Sequence, residues 1–212
     1  MTWKTAYRSI YYDGAPEPAD PNLFKESTAL LIIDVQNTYF TRPDRASLSA
    51  DEQRRYDAWN PFHERMREIV IPRTRELLGL FRKNGYECLF ARIACHTKNG
   101  RDRSLSQKMP GWNNLLLPKG EFPSQLVPGL EPQGDEIVVT KTTDSALTGT
   151  NLRLILTNLG IRPSCAAVFS PTSACPRRCA AWPTRASASS WSRIAAPPHV
   201  TSCIARSSKS ST

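Results

Sequence analysis

The sequence predicts an α/β fold organised on a parallel sheet, and three features carry that reading. The first is Thr28-Ala29-Leu30-Leu31-Ile32-Ile33-Asp34-Val35-Gln36-Asn37, whose apolar run is too short for a membrane span and rich in branched residues. That is the pattern of a strand buried on both faces. The second is Glu136-Ile137-Val138-Val139-Thr140-Lys141, a shorter β-branched run that also ends in a charge. The third lies between them, where a helix-periodic segment leads into another apolar strand and so forms a βαβ unit with a right-handed crossover. Asp34 and Lys141 therefore carry opposite charges to the carboxyl ends of strands, the edge where ligand crevices form in open α/β sheets. Taken alone, Asp34 also suits a loop cap and Lys141 a solvated strand end, so the pattern leaves both readings open.

The elements follow in order. Met1 to Asp20 mixes aromatics, charges and prolines without the apolar core of a secretory signal, so residues 1–26 read as an irregular arm of a cytoplasmic protein. Ser47 to Asn60 is polar and charged, as in surface loops or short helices. From Pro61, Met66, Ile69, Val70, Leu77, Leu78 and Phe81 recur near helical spacing, with Pro72 kinking or dividing the segment and Gly85 as the stop. Tyr86 to Ala94 is the next buried strand. Prolines and glycines then crowd Gln107 to Gly134, an excursion over the mouth of the site in which Trp112 and Phe122 either line a pocket or pack down the loop. After Lys141, Thr148-Gly149-Thr150-Asn151 starts a helix whose apolar face is Leu152, Ile155, Leu156 and Leu159, stopped by Gly160.

Composition excludes several classes. The 212 residues suit one domain with a sizeable core, and no run approaches the ~20 apolar residues of a membrane helix. The net charge of +9 is uneven: residues 1–144 hold 20 Lys and Arg against all 19 Asp and Glu, while residues 145–212 hold 8 basic residues and no acid. Neither a dinucleotide nor a metal is indicated, because Gly-rich phosphate-loop spacing is lacking and His63, His96 and His199 fall in no ligand pattern. Cys88 and Cys95, the only cysteines of the first 162 residues, have neither metal-ligand nor redox-pair spacing.

Leu31-Ile32-Ile33-Asp34-Val35-Gln36-Asn37, Lys141 after a Val-Val strand, Ser145-Ala146-Leu147-Thr148-Gly149-Thr150-Asn151-Leu152 and Asn158-Leu159-Gly160-Ile161 together resemble the isochorismatase-like cysteine hydrolases. Within them, the stretch from Arg92 to Asp102 and the long middle loop are more similar to the amidohydrolases of carbamoyl and ureido compounds. The resemblance covers about residues 25–162. It implies a doubly wound, Rossmann-like parallel sheet with helices on both faces, a small-molecule substrate, no cofactor, and a homo-oligomer. It also implies an Asp, Lys, Cys triad: Asp34 as the base, Lys141 as the cation that stabilises the thiolate, and a cysteine at a helix start. An amide or ureide carbonyl is a poor electrophile, and a thiolate answers that need. Gln36, Asn37, Phe40 and Arg92 are the expected substrate-lining residues, with His96 placed for contact after a strand end.

The third catalytic member departs from the pattern. The family places a Gly-x-x-Thr-(Asp or Asn)-x-Cys-Val turn after a strand, and this chain has Val168-Phe169-Ser170-Pro171-Thr172-Ser173-Ala174-Cys175-Pro176. Beyond Pro163 there is no Gly, Asp or Glu, and Ser, Ala, Pro, Arg and Cys occur without period. A shifted reading frame accounts for this. If each codon takes the last base of one printed codon and the first two of the next, residues 168–185 permit Gly-Val-Phe-Thr-Asp-Gln-Cys-Val-Ser-Ser-Thr-Val-Arg-Ser-Leu-Ala-Asp-Glu. That string is the family's nucleophile turn and helix. Arg193 to Pro198 likewise permit Glu-Asp-Cys-Cys-Ala-Ala, a plausible strand end.

The expected organisation is therefore an arm at 1–26, a hydrolase domain at 27–162 and an out-of-frame tail at 163–212. The missing last strands would leave an apolar sheet edge bare and favour aggregation. Cys175 is the remaining candidate nucleophile, although Pro176 and Arg177 do not resemble the expected helix start. A different class of function, binding of nucleic acid or an acidic partner, would use the basic tail from Arg177 to Lys209 with Trp182 and Trp191 stacking on bases. The frame explains the same composition without it. Resequencing the gene across the codons for Gly160 to Ser173 is expected to find one base missing or extra, restoring the Thr-Asp-Gln-Cys-Val turn. Third bases incompatible with that turn would rule the shift out.

Overall fold

A computed structural model describes residues 9–12, 14–17, 22–111, 114–161 and 167–169. Four parallel strands form one sheet: β1 (Ala29–Ile33), β2 (Glu87–Ile93), β3 (Ile137–Lys141) and β4 (Ala167–Phe169), in the spatial order β3-β2-β1-β4. The chain thus builds outward from β1 through β2 to β3 and then returns to β1's other side. That reversal between β1 and β4 is the topological switch point of a doubly wound sheet.

The first crossover carries α1 (Ala50–Ala58), α2 (Asn60–Arg65) and α3 (Ile71–Lys83). A Ser49/Glu52 capping box starts α1, with each side chain bonded to the other's backbone N–H. Between α2 and α3 the helix does not break at Pro72 as a kink would. Met66–Val70 forms a π-turn in which the Ile71 N–H reaches back to Met66, and the wider turn accommodates a residue with no N–H to donate. The extra residue also rotates the face, leaving Ile69 exposed while Met66 and Val70 are buried.

Alternate residues of β1 feed two cores. Leu30 and Ile32 pack with Leu78 and Phe81 of α3 and with Cys88 and Phe90 of β2. Leu31 and Ile33 pack with Leu89, Ala91, Val139 and the Leu152 and Leu156 of α5 (Leu152–Asn158) on the opposite face. Every residue of β1 is buried, as a strand covered on both faces requires. Helices α3 and α5 end alike. At α3 the N–H groups of Gly85 and Tyr86 return to Arg82 and Phe81, and at α5 those of Gly160 and Ile161 return to Thr157 and Leu156. Both glycines have positive φ, the left-handed conformation this terminus demands.

Between β2 and β3 runs the excursion, which contains α4 (Leu105–Lys108) and a 3₁₀ turn at Phe122–Ser124. Leu117, Leu126, Val127 and Leu130 bury against the body, whereas Phe122 is 64% exposed and neither packs down nor lines an enclosed pocket. Trp112 lies outside the described residues. β4 pairs along β1's other side, Leu30 with Ala167 and Ile32 with Phe169, and the expected loss of the last strands falls outside the described residues.

Leu78, fully buried between α3 and the sheet, tests the first core. Leu78→Ala is expected to lower unfolding free energy in urea by about 2–5 kcal/mol, whereas Leu154→Ala on the exposed side of α5 should change it by less than ~0.5 kcal/mol.

Candidate active site

Asp34 follows β1 at the switch point. Its backbone still donates to the Ala91 carbonyl of β2 at 2.9 Å, but its φ of 59° turns the chain into the left-handed region. It is the one non-glycine with positive φ among the described residues. Asp tolerates that conformation better than most residues, and such turns concentrate at functional sites. The turn ends the strand with the carboxylate at the sheet's edge.

Lys141 ends β3, with β2 lying between it and β1. Two strand spacings amount to about 9.5 Å, so only a long side chain can span the intervening strand. The lysine does so, and its Nζ donates to Asp34 Oδ2 at 2.8 Å. A second donation goes to the Asp144 carbonyl at 2.9 Å, three residues along its own loop. The pair is closed from solvent, with Lys141 0% and Asp34 3% exposed. Asp34 Oδ1 is buried and has no hydrogen-bond partner among the described residues, leaving a carboxylate oxygen able to receive a proton. Burial raises the Asp34 carboxyl above its ordinary value, against the opposing pull of the Lys141 ammonium, while the negative charge of Asp144 adds to the rise. Desolvation and charge pairing thus act in opposite directions on one base.

The residues expected to line a pocket separate into two groups. Gln36 is wholly buried, and its amide is fully engaged: Nε2 donates to the Ile93 carbonyl at 2.8 Å and the Ser124 carbonyl at 2.9 Å, while Oε1 accepts from the Ile93 N–H at 2.9 Å. Asn37 donates through Nδ2 to the carbonyls of Phe122 and, at longer range, Leu126. Both latch the excursion to the sheet edge. Phe40 is partly buried and packs against the α3-side core. Arg92 remains available in part: Nη1 donates to Gln125 Oε1 at 2.7 Å and to the Ser124 carbonyl at 3.3 Å, and buried Nε has no partner among the described residues. His96 is exposed, with its backbone N–H bonded to Asp102. Cys175 lies outside the described residues.

Three residues join the site that sequence reasoning missed. Tyr39 is shielded enough that burial, followed by the nearby charges of Asp34 and Asp144, pushes its phenol well above the ordinary value and keeps it a neutral donor. Adjacent aromatics at 39 and 40 gave no sign of which one faces the carboxylates. Asp144 supplies the lysine's second acceptor, and as the last acid in the sequence, three places after Lys141, it did leave a readable signal. Gln107 of α4, fully buried, donates through Nε2 to Asp144 Oδ1 at 3.3 Å. Among the described residues, no group of three or more His, Cys, Asp or Glu side chains could hold a metal ion, and no helix is long and apolar enough to cross a membrane.

Removing one member of a buried pair strands the other charge. Asp34→Asn is expected to cost about 3–5 kcal/mol of stability at neutral pH, and adding Lys141→Met should recover most of that loss. A carboxyl raised by folding holds its proton more tightly in the native state. Its stabilising contribution is complete below the unfolded value of about 4 and is lost as pH climbs through the folded value. Urea titrations from pH 4 to 8 should therefore show this fall in the parent chain and not in the double variant.

The sequence profile of the Isochorismatase domain matches residues 28–166. Ureidoacrylate amidohydrolase RutB of Methylorubrum extorquens is 26% identical over 155 residues, covering 69% of this chain and 60% of its own length. The chain thus spans about three fifths of that curated relative. Among solved structures, an isochorismatase family protein from Desulfovibrio vulgaris is 27% identical with a TM-score of 0.44, over 64% of this chain and 63% of that one. A cysteine hydrolase from Pseudomonas syringae pv. phaseolicola is 19% identical with a TM-score of 0.49, over 69% and 61%. The profile match takes in β1 with Asp34, β3 with Lys141, and everything between, and by it the chain belongs to the isochorismatase family.

Proposed function

We propose that this chain carries the Asp and Lys of a cysteine hydrolase that cleaves a C–N bond of a small amide, carbamoyl or ureido compound. The buried Asp34–Lys141 pair at the switch point is the observation that supports this most directly. The name of the ureidoacrylate amidohydrolase relative favours a ureido substrate. In the proposed cycle, Asp34 Oδ1 takes the thiol proton and the Lys141 ammonium offsets the charge of the thiolate. The sulfur then adds to the substrate carbonyl, and backbone N–H groups at the nucleophile's helix start hold the oxyanion. Collapse expels the amine, which takes the proton back from Asp34 and leaves an acyl thioester. Water, giving its proton to Asp34, attacks that thioester and releases the acid and the thiol.

We further propose that the nucleophile turn has been separated from this pair by the reading frame, within a tail that begins near residue 163. One observation supports a break close to the strand: the profile match stops at residue 166. On this reading Cys175 does not replace the lost nucleophile. The chain as printed should release no ammonia from small ureido acids, while a chain with the frame restored should do so. In the restored chain, Asp34→Asn or serine at the turn cysteine should reduce kcat/KM by about 10³-fold or more. Activity in the printed chain that disappears with Cys175→Ser would instead assign the nucleophile to Cys175 and overturn the frame account. Failure of the restored chain on amide, carbamoyl and ureido substrates alike would overturn the hydrolase assignment.

A further inference from the structure

Lys141 has three N–H donors, and the structure accounts for two. One goes to Asp34 Oδ2 and one to the Asp144 carbonyl. These two acceptors fix the direction of the third, so the aim of the ammonium depends on where the 142–144 segment is held. That segment has no regular structure of its own, and Asp144 is exposed. What ties it down comes from the excursion. The Ser104 N–H donates to the Thr142 carbonyl at 2.8 Å, and the Gln107 side chain donates to Asp144 Oδ1 at 3.3 Å.

The far end of this tie is itself anchored. Arg103 donates through Nη1 to the Gln107 carbonyl at 3.0 Å, to Asn114 Oδ1 at 3.0 Å and to the Leu115 carbonyl at 2.8 Å, and through Nε to the Gly100 carbonyl at 3.2 Å. α4 spans only four residues and could not hold its place by helix formation alone. Burying a glutamine completely on so short an element costs its hydration, and a packing role alone would be met more cheaply by leucine. The amide's Nε2 is placed to donate to the lysine's loop, and its buried Oε1 has no partner among the described residues, so the burial is not explained by packing.

We infer that Gln107 is a positioning residue, which through Asp144 holds the carbonyl that aims the Lys141 ammonium. It touches no reacting atom. The inference rests on the reading of Lys141 as the thiolate's counter-cation, but its test does not need turnover.

The measurement is hydrogen exchange at the Lys141 ammonium in the full chain, followed by ¹⁵N NMR with the signal assigned by Lys141→Arg. Gln107→Leu, close in size and without the amide, is expected to speed exchange by about fivefold, the equivalent of one ordinary hydrogen bond released. Gln107→Glu should act in the same direction by repelling Asp144, and it decides the matter if the leucine variant does not fold. Asp144→Asn keeps the backbone carbonyl and a side-chain acceptor and should stay within about twofold of the parent. Leu78→Ala, which weakens the fold elsewhere, separates aim from general loosening. Exchange unchanged in both Gln107 variants, or accelerated equally by Leu78→Ala, would overturn the inference. A frame-restored chain without hydrolase activity would overturn the proposed function and leave these exchange rates to be judged independently.

Discussion

The structure depends on one interaction, an ammonium and a carboxylate closed from water and reached across an intervening strand. Desolvating two charges is expensive, and their attraction compensates only if geometry is held tightly and the remaining polar atoms find partners. Each condition has a visible answer here. The left-handed turn at Asp34 sets the carboxylate, the length of Lys141 spans β2, and the Asp144 carbonyl takes a second ammonium proton. Among the described residues one atom of the pair is left without a partner, Asp34 Oδ1, and it is the atom a proton-accepting base would need.

The excursion between β2 and β3 is best understood as part of that enclosure. A loop of this length lies on the surface unless its backbone groups are satisfied. Gln36 and Asn37 satisfy several at once from the end of β1, and Arg92 adds donors from β2. At the other end, Arg82 of α3 pairs with Glu136 at 2.7 Å and also donates to the Glu131 carbonyl, fixing the approach to β3. Polar residues at strand ends are therefore divided between two tasks. Asp34 and Lys141 face each other, while their neighbours hold the cover in place.

This division explains what could be read from the sequence. β1, β2, β3 and both glycine stops were legible because burial on two faces and helix period leave patterns in consecutive residues, as was the α5 face except Leu159, which caps the helix and is exposed. Asp34 and Lys141 were legible as charges that interrupt such patterns. The partners of Gln36, by contrast, lie 57 and 88 residues away, and nothing local distinguishes an amide that latches a loop from one that binds a substrate. Tyr39 was not read as part of the site for a similar reason: it lies in a 3₁₀ turn at Asn37–Tyr39, which neighbouring aromatics do not encode. Pro72 was correctly read as incompatible with an undisturbed α-helix. The response was a wider turn and not a break, a choice made by the packing of Met66 and Val70.

The same physics bears on the two halves of the chain. An apolar pair of similar volume would stabilise this core at least as well as Asp34 and Lys141, so stability alone gives no reason for burying the charges. Chemistry does give one, because a base whose proton affinity is set between desolvation and a neighbouring cation is useful only near a group that must lose its proton. Under the proposed function, this costly pair takes its meaning from a nucleophile beside it. The sheet order sets β4 beside β1 at the switch point, and the proposed function seats its nucleophile in the sequence after β4. There the printed sequence loses acids, glycines and period together. A buried charge pair at the switch point is what the proposed hydrolase requires of its base and cation, and a binding module shaped around its tail has no such need of it.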